Sequence, residues 1–426
     1  MNQEKAIELA LQGNNIFLTG NAGTGKTYTL NKIIETLQDQ GKIVAVTAST
    51  GIASTHLNGS TIHSWAGIGI KDKLSSDDLF KLKNNRFSRK KFENTDVLII
   101  DEISMLHDFR LDLVEEVCRF VKNIKKLWGG LQIIISGDFF QLPPVNQNNH
   151  QKNYCFNAAV WKDSKFKVCY LDKIYRQDDQ IFIDILNNIR KNSVTSQQKE
   201  ILNDLSSNTE YYEYGINLYP TNNNVDIENA MQLAKIKEPV HISKMTSEGL
   251  DWKVKQLKKN CLALETLILK KHSKVIIIVN DTGKDVIWRQ YVNGTLGEII
   301  EIKEDEGIIS VQIFKTGKII NLQRHTWELK EYNENMGKDV VIASITQFPL
   351  KLAWALTIHK SQGATFDFVN LDLTNTFVEN MGYVALSRIT SLEGLYLKGY
   401  NDISLHIDDT IIYKDKEFQE QSRNNE

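Results

Sequence analysis

The sequence predicts an α/β fold, and three observations carry that expectation. Between residues 16 and 168, short apolar runs (NIFLTG, KIVAVTA, DVLIID, LQIIISGD) alternate with helical or polar segments, the pattern of a parallel sheet covered by helices. The first run leads directly into a glycine-rich turn, Gly20-Asn21-Ala22-Gly23-Thr24-Gly25-Lys26-Thr27, and then into the apolar spacing of a helix over 28–37. After about residue 215 the alternation resumes with INLYPTNNNVD, a helix near 225–236 and an apolar strand at 274–280, so a second α/β unit is expected. Between 294 and 328 the runs GTLGEIIEI, GIISVQIF and GKIINL are short and separated by glycine turns, which predicts a small β-barrel inserted in that second unit.

Length agrees with more than one core: 426 residues exceed the size at which a single core stops growing. The hydrophobic fraction of 41% and charged fraction of 24% are those of a folded globular chain. A net charge of −2 gives no global signal for nucleic acid, so any such path has to come from local clustering. Cys118, Cys155, Cys169 and Cys261 form no C-x-x-C pair, which argues against a zinc site or a disulfide framework and fits a reducing, intracellular compartment. No apolar run of about 18 residues and no signal-peptide pattern is present, so no membrane association is expected. The polar tract at 71–93 reads as a surface insertion in which Arg86, Arg89, Lys90 and Lys91 are candidate phosphate contacts, and the polar tail after about Tyr413 is expected to fray.

The glycine-rich turn has the chemistry of a phosphate-binding loop. Glycines let the backbone approach phosphate oxygens, successive N–H groups and the helix N-terminus hold the negative charge, Lys26 reaches the β and γ phosphates, and the Thr27 hydroxyl is placed to ligate Mg²⁺. The third apolar run ends in Asp101-Glu102, at a strand carboxyl end, where open α/β sheets bind ligands. Asp101 is the expected metal-side acid and Glu102 the expected base. In SGDFFQLPP, Gln141 can donate to phosphate and accept from an attacking water. Arg176 in YRQ and Arg388 in VALSRITSLEGL are expected outside the loop-bearing domain, each a candidate arginine finger.

Taken in order, GNAGTGKT, TASTGIAS, TIHSWAGI, IIDEISML, SGDFFQLPPV, YRQ, LTIHKSQGATF and YVALSRITSLEGL closely resemble the superfamily 1 DNA helicases of the PIF type (petite integration frequency), RecD-like members of superfamily 1B. The run QFPLKLAWA at 347–355, VNGTLG at 292–297 and the segment 108–132 with Arg119 and Gly129-Gly130 are similar to that family in particular. Ser49 stands where the family usually has proline, and Ser54 where it has a small apolar residue. The resemblance implies two RecA-like motor domains, the first at 1–172 with an insertion at 66–93 as the candidate strand-separating wedge, the second at 173–293 and 346–415. An SH3-like barrel is implied at 294–345 and a polar tail at 416–426. It also implies ATP in the cleft between the motors, with Gln3 at the adenine and Gly363 among the nucleotide contacts. Thr50, His63, His359, Lys360 and Ser361 would touch the backbone of single-stranded DNA, and translocation would run 5′→3′. The implied partners are single-stranded and tailed duplex DNA, with G-quadruplexes as a further substrate; a monomer is expected, in repair, recombination, replication or telomere maintenance. Two other readings stay open: a single-stranded-DNA-dependent translocase that does not unwind by itself, and a nucleotide-switched subunit of a nuclease complex.

Overall fold

Burial on both faces is what makes strands of the apolar runs. Ile16–Gly20 (β1) and Val97–Asp101 (β4) are buried at every position, as strands between two helix layers have to be. With Val44–Ala48 (β2), Ser60–Thr61 (β3), Gln132–Ser136 (β5) and Lys167–Leu171 (β6) they form one parallel sheet in the order β3-β2-β4-β5-β1-β6. Because β4, β5 and β1 are neighbours, the segments leaving their carboxyl ends emerge side by side. The structure is a computed structural model and describes all residues except 51–58, 70, 145–152, 178, 209–210, 214, 280, 282–289, 292–293, 315, 334–337 and 426.

Two helices seal one face of this sheet. Gln3–Leu11 (α1) is capped by Asn2, whose side chain accepts from the Lys5 N–H, and buries Ala6, Leu9 and Ala10. Lys26–Asp39 (α2) buries Leu30, Ile33, Ile34 and Leu37, the i, i+3, i+4, i+7 stripe of a helix lying on a sheet. These side chains meet Ile16, Leu18, Ile99 and Ile134 in a single core, each leucine and isoleucine contributing roughly 1.5–3 kcal/mol through burial.

By its contacts the chain divides into two compact units, Met1–Tyr211 with Ser361–Glu426, and Tyr212–Lys360. The first unit also holds the parallel strands Val369–Leu373 and Leu395–Tyr400 and the helix Met381–Leu386. The tail differs from expectation: Asp409–Arg423 is a helix, with Ile411, Phe418 and Ser422 buried. The Phe418 ring lies 5.0 Å from that of Phe17, and Ser422 Oγ accepts from the Tyr170 N–H at 3.0 Å. Those three positions, seven and four residues apart, share one face, which a tract of mostly charged residues conceals. The 71–93 tract forms the helices Ser76–Asn84 and Arg86–Asn94, the first opened by a capping box between Ser75 and Asp78. Arg86, Arg89 and Lys90 are exposed there, whereas Lys91 turns inward over the Trp65 ring at 5.5 Å and burial lowers its pKa to about 8.

The second unit is mainly antiparallel. Leu296–Lys303, Ile308–Ile313 and Ile319–Gln323 form a meander around Ile299, Val311 and Leu322. The apolar run at 274–280, expected in a parallel sheet, supplies Lys274–Ile277, which pairs antiparallel with Leu296–Lys303 on one side and Leu350–Leu352 on the other. A short apolar run looks alike in either kind of sheet, and the partner strands decide. His325–Asn333, Lys338–Gln347 and Thr246–Gly249 make a further antiparallel sheet, and Ile216–Tyr219 lies parallel to Ala355–Thr357. The whole is α/β, with parallel sheets flanked by helices and additional antiparallel sheets. Among the described residues no helix is long and apolar enough to cross a membrane.

Candidate active site

The loop after β1 is shaped by three glycines at positive φ: Gly20 at 143°, Gly23 at 82° and Gly25 at 82°. Each also lies against a neighbour that a side chain would strike: Gly20 the Leu171 carbonyl, Gly23 the Arg176 side chain, Gly25 the Gln3 amide. Glycine is required there both for backbone conformation and for close approach. Lys26 opens α2 and folds back over the loop, donating from Nζ to the carbonyls of Gly20 at 2.9 Å and Asn21 at 3.0 Å. Burial lowers its pKa, and the nearby Asp138 and Glu102 offset this only in part. Thr27 is exposed beside it, and Gln3 donates from Nε2 to the Thr24 carbonyl at 3.1 Å.

Beside the loop lie the acids at the end of β4. Asp101 is buried, and burial raises its pKa. Glu102 has φ 50°, a left-handed conformation uncommon for a non-glycine residue and often found at functional sites. Burial first, and then the charge of Asp101, push its carboxyl up to about 7. Its Oε2 is sealed from solvent without a hydrogen-bond partner, and so is Oε1 of Gln141, in the segment that follows β5. Two buried acceptors left open at one sheet edge call for a donor from outside, as a water would bring. The arrangement fits Mg²⁺ as well: Asp101 is a buried carboxylate whose charge a cation would restore, and Thr27 offers an exposed hydroxyl.

Arg176 and Arg388 belong to the same compact unit as the loop, rather than lying outside it. Arg176 donates from Nη1 to the Ser387 carbonyl at 2.9 Å, and Arg388, only 1% exposed, donates from Nε to the Val384 carbonyl at 3.0 Å. Burial disfavours the charge of both; Arg388 adds to this at Arg176, while Glu102 works against it at Arg388. Two guanidiniums held on backbone carbonyls, close enough to repel, are prepared for an anion.

Sequence reasoning assigned no role to the residues that tie these parts together. Asp138 accepts from Arg190 Nη1 at 3.2 and 3.3 Å, and that guanidinium also donates to Tyr383 Oη and Tyr170 Oη at 3.0 Å each and lies 3.5 Å from the Phe140 ring centre. Burial disfavours the Arg190 charge, but Tyr383, Tyr170, Asp138 and Asp415 outweigh it and raise its pKa. The Ala22 N–H reaches Tyr383 Oη at 3.4 Å, and Gln177 donates to the carbonyls of Ser387 and Ile389 at 3.3 and 3.0 Å. Asp138 and Tyr383 lie inside motifs that were legible; nothing in the sequence near Arg190 marks it.

The expected DNA contacts are not gathered within one unit. Thr50, His63 and Ser361 belong to the first, His359 and Lys360 to the second. His63 is half-buried in the helix Ile62–Trp65, and burial, then Arg110 and His107, lower its pKa to about 4, so it is neutral at pH 7. Burial also lowers the pKa of His359. Lys360 is exposed and donates to Asn222 Oδ1 at 3.1 Å, Gly363 is exposed at φ 79°, and Ser361 is fully buried.

A model of the PIF1-like helicase family matches residues 2–200. The ATP-dependent DNA helicase Pif1 of Psychrobacter sp. (strain PRwf-1) is 37% identical, over 99% of this chain and 71% of the relative. The chain belongs to the PIF1-like helicase family. Its structure agrees with that assignment: the crystal structure of Pif1 helicase from Candida albicans superposes with a TM-score of 0.84 at 32% identity, covering 97% of this chain and 98% of the other. Bacteroides Pif1 helicase in complex with ADP-AlF3 and single-stranded DNA gives a TM-score of 0.72 at 32% identity, covering 98% and 96%. The PIF-type resemblance read from the ordered motifs is thus borne out.

Proposed function

We infer that this PIF1-like chain is an ATP-dependent DNA helicase, and we propose that it moves 5′→3′ on single-stranded DNA and separates duplex ahead of it. The observation that carries the reading is the meeting of Lys26, Glu102, Gln141, the half-buried Arg176 and the buried Arg388 around one glycine loop, with acceptors left open. A simple nucleotide switch would need the loop but neither a base poised near 7 nor guanidiniums aimed at an anion.

In this reading Glu102 takes the proton of the attacking water, Gln141 orients that water through its open Oε1, and Arg176 and Arg388 balance charge developing on the transferred phosphoryl group. Mg²⁺, held by Thr27 and Asp101, would neutralise charge on the phosphate oxygens when bound. Gln3 would meet the adenine and Gly363 the nucleotide. Thr50, His63, His359, Lys360 and Ser361 would grip the strand without reading sequence, through phosphate and sugar contacts. That a relative was solved with ADP-AlF3 and single-stranded DNA together supports one chain using both ligands.

The finer parts of the proposal are two RecA-like motors meeting near residue 172, an SH3-like barrel at 294–345, the 66–93 helices as wedge, a monomeric and intracellular protein, and G-quadruplexes among the substrates. The first test is strand separation on matched duplexes carrying a 5′ or a 3′ single-stranded tail, with Lys26→Ala as control. Unwinding of the 5′-tailed duplex alone is expected. Preference for the 3′ tail overturns the polarity, and DNA-stimulated ATPase without unwinding of either moves the assignment to a translocase.

A further inference from the structure

We propose that Asn380 is a positioning residue that locks the Gln141 segment to the helix that leads into Arg388, so that the water-orienting amide and the arginine act as one body. The inference rests on the roles given above to Gln141 and Arg388. Asn380 is 1% exposed and has φ 71° and ψ −20°, a left-handed conformation that among side-chain-bearing residues asparagine adopts most readily. Its Nδ2 donates to the carbonyls of Phe139 at 3.3 Å and Gln141 at 3.2 Å, and its Oδ1 accepts from the Asp408 N–H at 3.2 Å. Its own N–H donates to the His406 carbonyl at 2.9 Å, and its carbonyl accepts from the Val384 N–H at 3.0 Å in the first turn of Met381–Leu386.

That turn leads straight to the arginine, whose Nε is held by the Val384 carbonyl at 3.0 Å. From the other side, Arg190 holds the same 138–141 segment by the Asp138 carboxylate, which in turn accepts from the Phe140 N–H at 3.1 Å. The segment bearing Gln141 is therefore clamped at its start by Arg190 and at its end by Asn380. Both clamps reach the helix Met381–Leu386, Arg190 through the Tyr383 hydroxyl at its side and Asn380 from its first turn, but Asn380 is the one that bonds the Gln141 carbonyl itself. With Gln141 Oε1 open, its backbone is what fixes where the amide points.

The test uses Asn380→Gly, which keeps the left-handed backbone unstrained and removes all the side-chain hydrogen bonds, and Asn380→Asp, which keeps the acceptor but loses the donor. Measured with Gln141→Ala and the double variant Gln141→Ala/Asn380→Gly, kcat of DNA-stimulated ATPase should fall at least about tenfold in each, with KM for ATP changed less than about threefold. Once Gln141 is absent, Asn380→Gly should cost no more than about twofold further, because both act through one group. Full kcat in Asn380→Gly while Gln141→Ala is impaired overturns the inference alone. So does a fully additive double variant, the signature of a merely structural role. Full activity of Gln141→Ala instead overturns the role given to the glutamine.

Discussion

The two edges of the six-stranded sheet treat polar groups in opposite ways. At the amino edge, Gln132 donates from Nε2 to the carbonyls of Ala10 at 2.7 Å and Asn14 at 2.8 Å. There too Asn15 accepts from the Ile133 N–H at 2.8 Å, and Asp96 from the Ile43 N–H at 2.9 Å. At the carboxyl edge, Glu102 and Gln141 keep buried oxygens without partners, and Glu102 lies at φ 50°. A satisfied hydrogen bond contributes about 1 kcal/mol, whereas a buried group left open costs about 1–3 kcal/mol. The amino edge therefore holds the domain together, and the carboxyl edge keeps an unfavourable arrangement of the kind that marks functional sites.

The contrast breaks most sharply at Lys26. Lys26→Ala should abolish nucleotide binding and lower turnover by more than about 10⁴-fold, read by a binding titration with an ATP analogue and by ATPase assay. Turnover within tenfold of the parent would remove the loop from the site. Arg388→Ala should keep nucleotide binding and lose about 10³-fold or more in turnover, in line with arginine fingers elsewhere; near-normal kcat would make it a structural arginine.

Glu102→Gln should keep binding and lose about 10²- to 10⁴-fold in turnover. In the parent, turnover should climb as pH rises through about 7, because the base works as its carboxylate. Stability runs the other way. With the folded carboxyl at about 7 against an ordinary 4.5, the folded state retains a proton that the unfolded chain has released. The contribution of this group is complete below 4.5 and lost as pH rises through about 7, so Glu102→Gln should melt higher than the parent at alkaline pH and not at acid pH. A pH-independent difference in melting would contradict the raised pKa.

Gln132→Ala is the mildest probe and sharpens the comparison from the other edge. Leaving the carbonyls of Ala10 and Asn14 open should cost about 1–3 kcal/mol in denaturant unfolding, while ATPase well below the transition changes less than about twofold. A large loss of kcat would mean that the amino edge too serves catalysis.

Much of the carboxyl edge was legible because its chemistry is local. The glycines, Lys26 and Thr27 follow one another, and the order strand, loop, helix is written in the chain. Asp101-Glu102 closes one apolar run and Gln141 follows the end of another by five residues, so both emerge at the same sheet edge once β4, β5 and β1 are adjacent. Arg190 was not legible, since its partners Asp138, Tyr383 and Tyr170 come from three other segments. Asn380 was hidden for the same reason: its side chain bonds to residues 139, 141 and 408.

Periodicity and motif order sufficed for the α/β class and the family, because each apolar run and each motif is set by residues near one another in the chain. The antiparallel pairing of Lys274–Ile277, the docking of the last helix through Phe418 and Ser422, and the clamps at Arg190 and Asn380 came only with the folded chain. Their partners are brought close by folding, and a hydrogen bond or a buried ring leaves no mark on the local spacing of residues that come from separate segments of the chain.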